Sequence, residues 1–403
     1  MSEVVEIVRL GHGGHGATSD GLFVPFALPG DVVRVARVGA RAQILTIEKS
    51  SPSRVDATCR HFGRCGGCAV QHYALDDYHA WKRGLVSEAM AQRGFSEIPL
   101  APILGVRPGT RRRAMMKAKK SSTFSVGFFE PESHTLVDVT ECPVLLPELV
   151  RLIAPRRSGL DTLMRAGDTA ELHMTATDSG VDLSLRWKHP RDPMLLMDMA
   201  ALARGLDLAR LSWNGEPISI QRLPSLQVGR YTVNLPLEPF LQPTREGERM
   251  LQALVREAIG SAEKIADLYC GCGTFALAMA DGRKIHAVDD GLPMIESLES
   301  AGRAGGARVK IERRDLHRRP LSVFELARFD AVVVDPPRPG AAAQARELAN
   351  SLVPRIVYVS CNAATFARDA RILVDGGYRL EKVTPVDQFL WSPHVELVAV
   401  FGR

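Results

Sequence analysis

From residue 239 to the end, apolar runs such as "KIADLYC", "KIHAVDD", "FDAVVVD" and "RIVYVSC" alternate with stretches of helical periodicity. Strands that are apolar on both faces must be covered on both sides, and helices threaded between successive strands do this when the strands run parallel. Residues 239–403 are therefore predicted to form a parallel, helix-covered sheet. Such sheets bind ligands at the carboxyl ends of their strands, so the residues that follow each run are the ones to inspect. At 403 residues the chain also exceeds one domain of ordinary size, and two or three cores are expected.

Residues 1–56 are punctuated differently. Short runs, "VVEIVRL", "GLFVPFAL", "DVVRVARVG" and "RAQILTIEKS", lie between Gly, Pro and Asp turns and predict a small β-barrel. His12 and His15 in "GHGGHG" have no further ligand nearby, and a metal reading there is set aside. Residues 57–238 are expected to form a central domain. They comprise a cysteine-rich loop, a helix over "ALDDYHAWKRGLVSEAMAQRG" that Gly94 closes, and then β-rich hairpins with helices. Residues about 71–103 are expected to pack with the C-terminal domain. No basic segment followed by an apolar run opens the chain, and no stretch of about 18 apolar residues follows, so the expectation is a cytoplasmic monomer with no membrane contact.

There are seven cysteines. In a reducing compartment closely spaced cysteines are read first as metal or catalytic ligands. "CRHFGRCGGC" places Cys59, Cys65 and Cys68 within one short loop and leaves the customary fourth ligand to be found. A basic run, "RPGTRRRAMMKAKK", offers Arg111, Arg112, Arg113, Lys117, Lys119 and Lys120 to phosphates, or equally makes a solvated charged strand. A net charge of +5 does not decide between them.

Within the predicted sheet, "DLYCGCG" is a strand running into a Gly-rich turn, where Gly271 and Gly273 let a ligand approach the backbone. Asp289 and Asp290 end the next strand, where a carboxylate can accept from ribose hydroxyls. Ala276 leaves only G-x-G-x-x-A, so a dinucleotide stays formally open. Asp335 ends a further strand in "DPPR". Together these motifs resemble an S-adenosylmethionine-dependent methyltransferase. Cys361, in "SCN", sits at a strand-to-helix turn, where the helix dipole and free amides are expected to lower a thiol pKa. Cys270 and Cys272 suit the inert, buried alternative better. Glu396, in "HVE", is a carboxylate entering an apolar strand, either satisfied structurally or acting as a proton acceptor.

In this order the motifs resemble the RNA uracil-5-methyltransferase family through nearly the whole chain. The resemblance implies a multidomain α/β protein with an N-terminal OB-like TRAM barrel, a central α+β domain and a C-terminal Rossmann-like class I methyltransferase domain. It implies that Cys361 adds to carbon 6 of a flipped-out uridine and that Glu396 removes the carbon 5 proton. It places Gln242, Tyr269, Gly271, Gly273, Asp289, Asp315 and Asp335 around S-adenosyl-L-methionine, with contacts of Gln242 and Asp335 to the uracil left open. Cys142, in "TECPVL", becomes the fourth ligand of a structural 4Fe-4S cluster with Cys59, Cys65 and Cys68. Four thiolates also suit zinc, whereas radical chemistry is disfavoured by a first gap of five residues. The cluster pattern marks the branch acting on 23S rRNA. The alternatives are a tRNA uracil-5-methyltransferase, an RNA amino-methyltransferase and a non-catalytic RNA-binding assembly factor. Thr244 and Thr274 stand where the family usually has Asn, Asp289 where it has Glu, and Ala363 where it has Pro.

Overall fold

The computed structural model describes residues 2–38, 41–153 and 159–403. The described strands form sheets of six, seven and eight strands and a separate hairpin, Ser225–Val228 with Tyr231–Asn234.

The eight-stranded sheet has the order Val309–Arg313, Lys284–Asp289, Lys264–Leu268, Ala331–Val334, Arg355–Ser360, Glu396–Gly402, Arg379–Asp387, Leu104–Gly105. The first five strands are parallel, as the apolar runs predict, and the strand order reverses between Lys264–Leu268 and Ala331–Val334. Glu396–Gly402 then pairs antiparallel with both of its neighbours. That reversal matters for function, because it returns the chain to the edge where the parallel strands end. On one face the helices Ala342–Ala349, Ala363–Asp375 and Leu75–Ala91 pack through Ala345, Phe366, Leu373, Val86 and Met90. On the other face Arg245–Ile259 and Leu292–Ala304 contribute Leu251, Val255, Ile295 and Leu298. Each of the larger of these side chains, fully buried, stabilises the fold by about 1.5–3 kcal/mol relative to exposure. Leu75–Ala91 and Leu104–Gly105 thus pack with a sheet built mainly from the last part of the chain.

The seven-stranded sheet joins Leu136–Asp138, Phe124–Phe129, Arg113–Lys120, Thr169–Thr177, Gly180–Trp187, Arg210–Trp213 and Glu216–Ile220 in that order. Helices Pro147–Ile153 and Pro193–Gly205 cover one face. Along Arg113–Lys120 the period of two buries Ala114, Met116 and Ala118 and turns Met115 and Lys119 outward.

The N-terminal sheet has six strands where four were expected. "VVEIVRL" breaks at Ile7 and Val8, since Ser2–Glu6 pairs with Val32–Val38 whereas Arg9–Leu10 pairs with Gly16–Ala17. Those two stretches are the opposite edges of the sheet, so one continuous segment curls it toward closure around Ile7, Val24, Val33 and Val35. The expected strand "DVVRVARVG" ends on Gly39, outside the described residues. No described helix is long and apolar enough to cross a membrane.

Candidate active site

Cys361 follows the strand Arg355–Ser360, and Glu396 opens the antiparallel strand beside it. Because Ser360 is paired with Leu397, the next step of the register sets Cys361 against Glu396. Asp335 follows Ala331–Val334, one strand away, with its backbone N–H on Leu268 O at 3.2 Å. Cys361, Glu396, Asp335, Gln242, Tyr269, Gly271, Asp289 and Asp315 all border one cavity of about 660 Å³. Gly273 does not border it, but it shapes the turn. At φ +92° a Cβ there would lie 2.4 Å from Leu298 Cδ1, so the turn depends on glycine.

The electrostatics correct one expectation. Burial, helped by the charges of Glu396 and Asp335, pushes the Cys361 thiol up to about 11, against the Arg338 charge and the backbone amide of Cys361 itself, which lower it. The helix amides that were to lower it are engaged elsewhere, since Asn362 Oδ1 accepts from Ala364 N at 3.0 Å and from Thr365 N at 3.3 Å. Asn362 also ties the "DPPR" loop to this turn, its Nδ2 donating to Arg338 O at 3.3 Å. The helix Ala363–Asp375 starts on that cap without the proline usual in the family. Burial raises Asp335 to about 7, and burial with the Asp335 charge raises Glu396 to about 8. Cys270 and Cys272 are buried against the helices, in keeping with an inert role.

On the ligand side of the cavity, Asp289 is already engaged. Its Oδ2 accepts from Gly271 N at 2.9 Å and its Oδ1 from Gly291 N at 2.8 Å, which staples the two loops and leaves one lone pair on each oxygen for a further donor. Asp315 Oδ1 likewise accepts from His317 N at 3.0 Å. Tyr269, at φ +64°, sets its ring 5.4 Å from that of His317, and its buried hydroxyl has no partner among the described residues. An orphan buried hydroxyl beside a glycine turn and an open cavity suits a bound nucleoside-type ligand. Thr244 performs the capping usually given to Asn, accepting from Gly247 N at 2.9 Å.

The basic run separates into two kinds of residue. Arg112 is buried, paired with Glu248 and bonded through Nε to Gln242 O at 2.9 Å, so it ties the start of the strand Arg113–Lys120 to the helix Arg245–Ile259 and does not face a phosphate. Lys117 is paired with Glu171, whereas Lys119 remains exposed. Arg113 lies over the ring of Phe240, 5.4 Å from its centroid. Phe240 is 66 % exposed at the cavity and carries no sequence signal, since an aromatic beside Gln242 reads as core. Gln388 was missed too, although a polar pair, Asp387 and Gln388, closing an apolar strand is a visible cue.

Cys59, Cys65, Cys68 and Cys142 line a second cavity, of about 1200 Å³, which shares Arg111, Arg338, Phe389 and His394 with the first. Burial, with a smaller contribution from the neighbouring cysteines, pushes Cys68 to about 12 and raises Cys65 and Cys142, against hydrogen bonds from Gln71 and from backbone amides that lower them. Gly67 N donates to Cys65 Sγ at 3.5 Å, and the amides of Val144 and Leu145 face Cys142. Donors aimed at sulfur favour thiolate ligands. Yet no group of three or more His, Cys, Asp or Glu among the described residues is placed to hold a metal ion. The closed four-thiolate shell expected from the cysteine pattern is therefore not formed.

Comparison with known proteins follows the same lines. A family model described as tRNA (Uracil-5-)-methyltransferase matches residues 309–402. The chain is 43 % identical over 405 residues to an uncharacterized RNA methyltransferase of Brucella melitensis, covering 99 % of this chain and 97 % of that one. It is 34 % identical to the 23S rRNA (uracil(1939)-C(5))-methyltransferase RlmD of Halomonas elongata, covering 97 % and 87 %. Among solved structures, the tRNA (uracil-54, C5)-methyltransferase of Pyrococcus abyssi in complex with S-adenosyl-L-homocysteine superposes with a TM-score of 0.77 at 25 % identity, covering 100 % of both chains.

Proposed function

Because the chain belongs to the RNA uracil-5-methyltransferase family, and so methylates carbon 5 of a uridine in RNA from S-adenosylmethionine, we propose that its target lies in 23S rRNA and is attacked by Cys361. Carbon 5 of uracil is a poor nucleophile. The Cys361 thiolate adds to carbon 6, and the ring electrons move onto carbon 5 and O4. Carbon 5 then takes the methyl group from the sulfonium donor, which leaves as S-adenosylhomocysteine. Glu396 removes the carbon 5 proton, and the electrons left behind expel the thiolate and restore the ring. Arg338 is the side chain that favours the thiolate.

The observation that carries this reading is the register that sets Cys361 against Glu396 at one wall of the cavity. An addition and an elimination at adjacent ring carbons need a nucleophile and a base on neighbouring supports. Asp289, Asp315, Tyr269 and the Gly271 to Gly273 turn would hold the methyl donor, which supplies an electrophilic methyl group. Phe240 offers an exposed face on which a neighbouring RNA base stacks while the uridine is flipped out. The curled N-terminal sheet suits a TRAM-type RNA-binding barrel.

Cys59, Cys65, Cys68 and Cys142 would hold a 4Fe-4S cluster, supported by their common cavity and by the amides directed at their sulfurs. Such a cluster would cross-link the loop that precedes Leu75–Ala91 to the central sheet. Four thiolates would also suit a single zinc ion.

The 34 % identical relative and the cysteine set favour ribosomal RNA. Mapping 5-methyluridine in RNA from a strain lacking the gene tests this. Loss at a 23S position is expected. Loss confined to tRNA would move the substrate there, and no loss anywhere would overturn the reading.

A further inference from the structure

Gln388 lies immediately beyond the strand Arg379–Asp387 and is 1 % exposed. Its backbone is held on a fixed support. Asp387, fully buried, accepts from Tyr78 Oη at 2.5 Å, from Lys82 Nζ, and from Phe389 N at 3.2 Å. From that support Gln388 Nε2 donates to Gln242 Oε1 at 2.7 Å and to Glu396 Oε2 at 2.9 Å. An amide nitrogen has two hydrogens, and both are used. Turning the amide over would set its oxygen against two acceptors, so only this orientation satisfies both neighbours while Glu396 is ionised.

The slot for this amide depends on glycine. A Cβ on Gly247 would lie 2.7 Å from both Cβ and Oε1 of Gln388, and 2.8 Å from Thr244 Oγ1. The close approach of the helix Arg245–Ile259 therefore fixes where the Gln388 side chain lies. The consequence falls on Gln242. With its oxygen occupied, its Nε2 has no protein partner among the described residues, and the residue borders the reaction cavity. The face Gln242 presents there is a donor.

We propose that Gln388 is a positioning residue that locks the Gln242 amide with its NH2 group toward the substrate, so that the site accepts a pyrimidine with a carbonyl at position 4 and rejects one with an amino group. Uracil and cytosine differ at position 4 and in the adjoining N3 proton. A fixed donor pairs with the uracil O4, whereas against the cytosine amino group it leaves two donors facing each other in a dry cavity. Without Gln388 the Gln242 amide is free to turn and accept from that amino group. The same bond also favours the ionised form of Glu396, the form that takes the carbon 5 proton. This inference rests on the uracil-5 reading above.

The test uses 23S rRNA transcribed in vitro with 5-fluorouridine or with 5-fluorocytidine, each of which traps the covalent adduct because the fluorine at carbon 5 cannot be removed as a proton. Wild-type protein should trap the fluorouridine transcript and disfavour the other. In Gln388→Met, which keeps the shape and loses both donors, the ratio of the two trapping rates should fall by roughly tenfold. Cofactor affinity, measured by calorimetry, should stay within about twofold, because Asp289, Asp315 and Tyr269 keep their places and Gln242 itself is retained. On the unfluorinated transcript the acid limb of the rate profile should move to higher pH. If Gln388→Met slows both transcripts equally and leaves the pH profile in place, Gln388 is merely structural and the proposal is wrong. Should that variant not fold, Gln388→Asn, one methylene too short to bridge, is measured in the same way with the same expected fall. Failure of the wild-type protein to trap the fluorouridine transcript would instead overturn the uracil-5 reading.

Discussion

Cys361 and Glu396 are neighbours across two antiparallel strands, one step beyond the Ser360–Leu397 pair, although 35 positions separate them in the chain. The pairing assigns them to opposite ends of one covalent cycle. Cys361→Ala should bind RNA and cofactor but transfer no methyl group. Glu396→Gln should methylate once and stall, because the carbon 5 proton stays and the thioether cannot be eliminated. A denaturing gel with labelled RNA should show a slow protein–RNA band for the Glu396 variant and none for the Cys361 variant. Normal turnover by Cys361→Ala would exclude this chemistry.

The acid pair makes the folded state sensitive to pH. Asp335 and Glu396 are raised to about 7 and about 8 from the ordinary carboxylate range, so the fold prefers their neutral forms. Stability they contribute is complete below about pH 4 and is lost as pH rises through 7 and 8. Asp335→Asn should flatten that decline by on the order of 2 kcal/mol, read as a smaller fall in Tm between pH 5 and pH 8.5. An unchanged slope would mean that the carboxyl is ionised throughout. For catalysis the dependence has the opposite sign, since Glu396 must be ionised to act and turnover should fall as pH drops below about 8.

Iron and acid-labile sulfide should co-purify in a near 4:4 ratio, with a broad brown absorbance, the stoichiometry of one four-thiolate cubane. Cys142→Ser should remove both and destabilise the central sheet, since ligand closure is coupled to folding. One equivalent of zinc without iron after anaerobic purification would identify a different metal site.

Arg112 and Glu248 form a buried ion pair where the start of the strand Arg113–Lys120 meets the helix Arg245–Ile259. Glu248→Ala should cost about 3–5 kcal/mol in urea unfolding, because it strands a buried guanidinium. The double variant Arg112→Met with Glu248→Met should recover most of that loss. A small effect of Glu248→Ala alone would show that water reaches the guanidinium.

Much of the large sheet was legible in the chain because its strands are apolar on both faces, and a buried parallel strand has no other use for such a run. Gly271, Gly273, Asp289 and Asp335 were legible for a related reason: each ends or follows a strand, and strand ends in parallel sheets share one edge. What the linear pattern could not convey is the state of a group whose partners come from elsewhere. The Cys361 turn promised an activated thiol, but Asn362 takes the helix amides and two carboxylates border the same cavity. Arg112 read equally as a phosphate ligand or a solvated surface residue until the fold set Glu248 beside it, and the role of Gln388 was legible only once Gln242 and Glu396 converged on its amide. Local sequence determined which residues stand at the sheet edge, through periodicity and turn chemistry. Tertiary packing alone decided their protonation and hydrogen-bond polarity, because both depend on desolvation and on charges that arrive from distant segments.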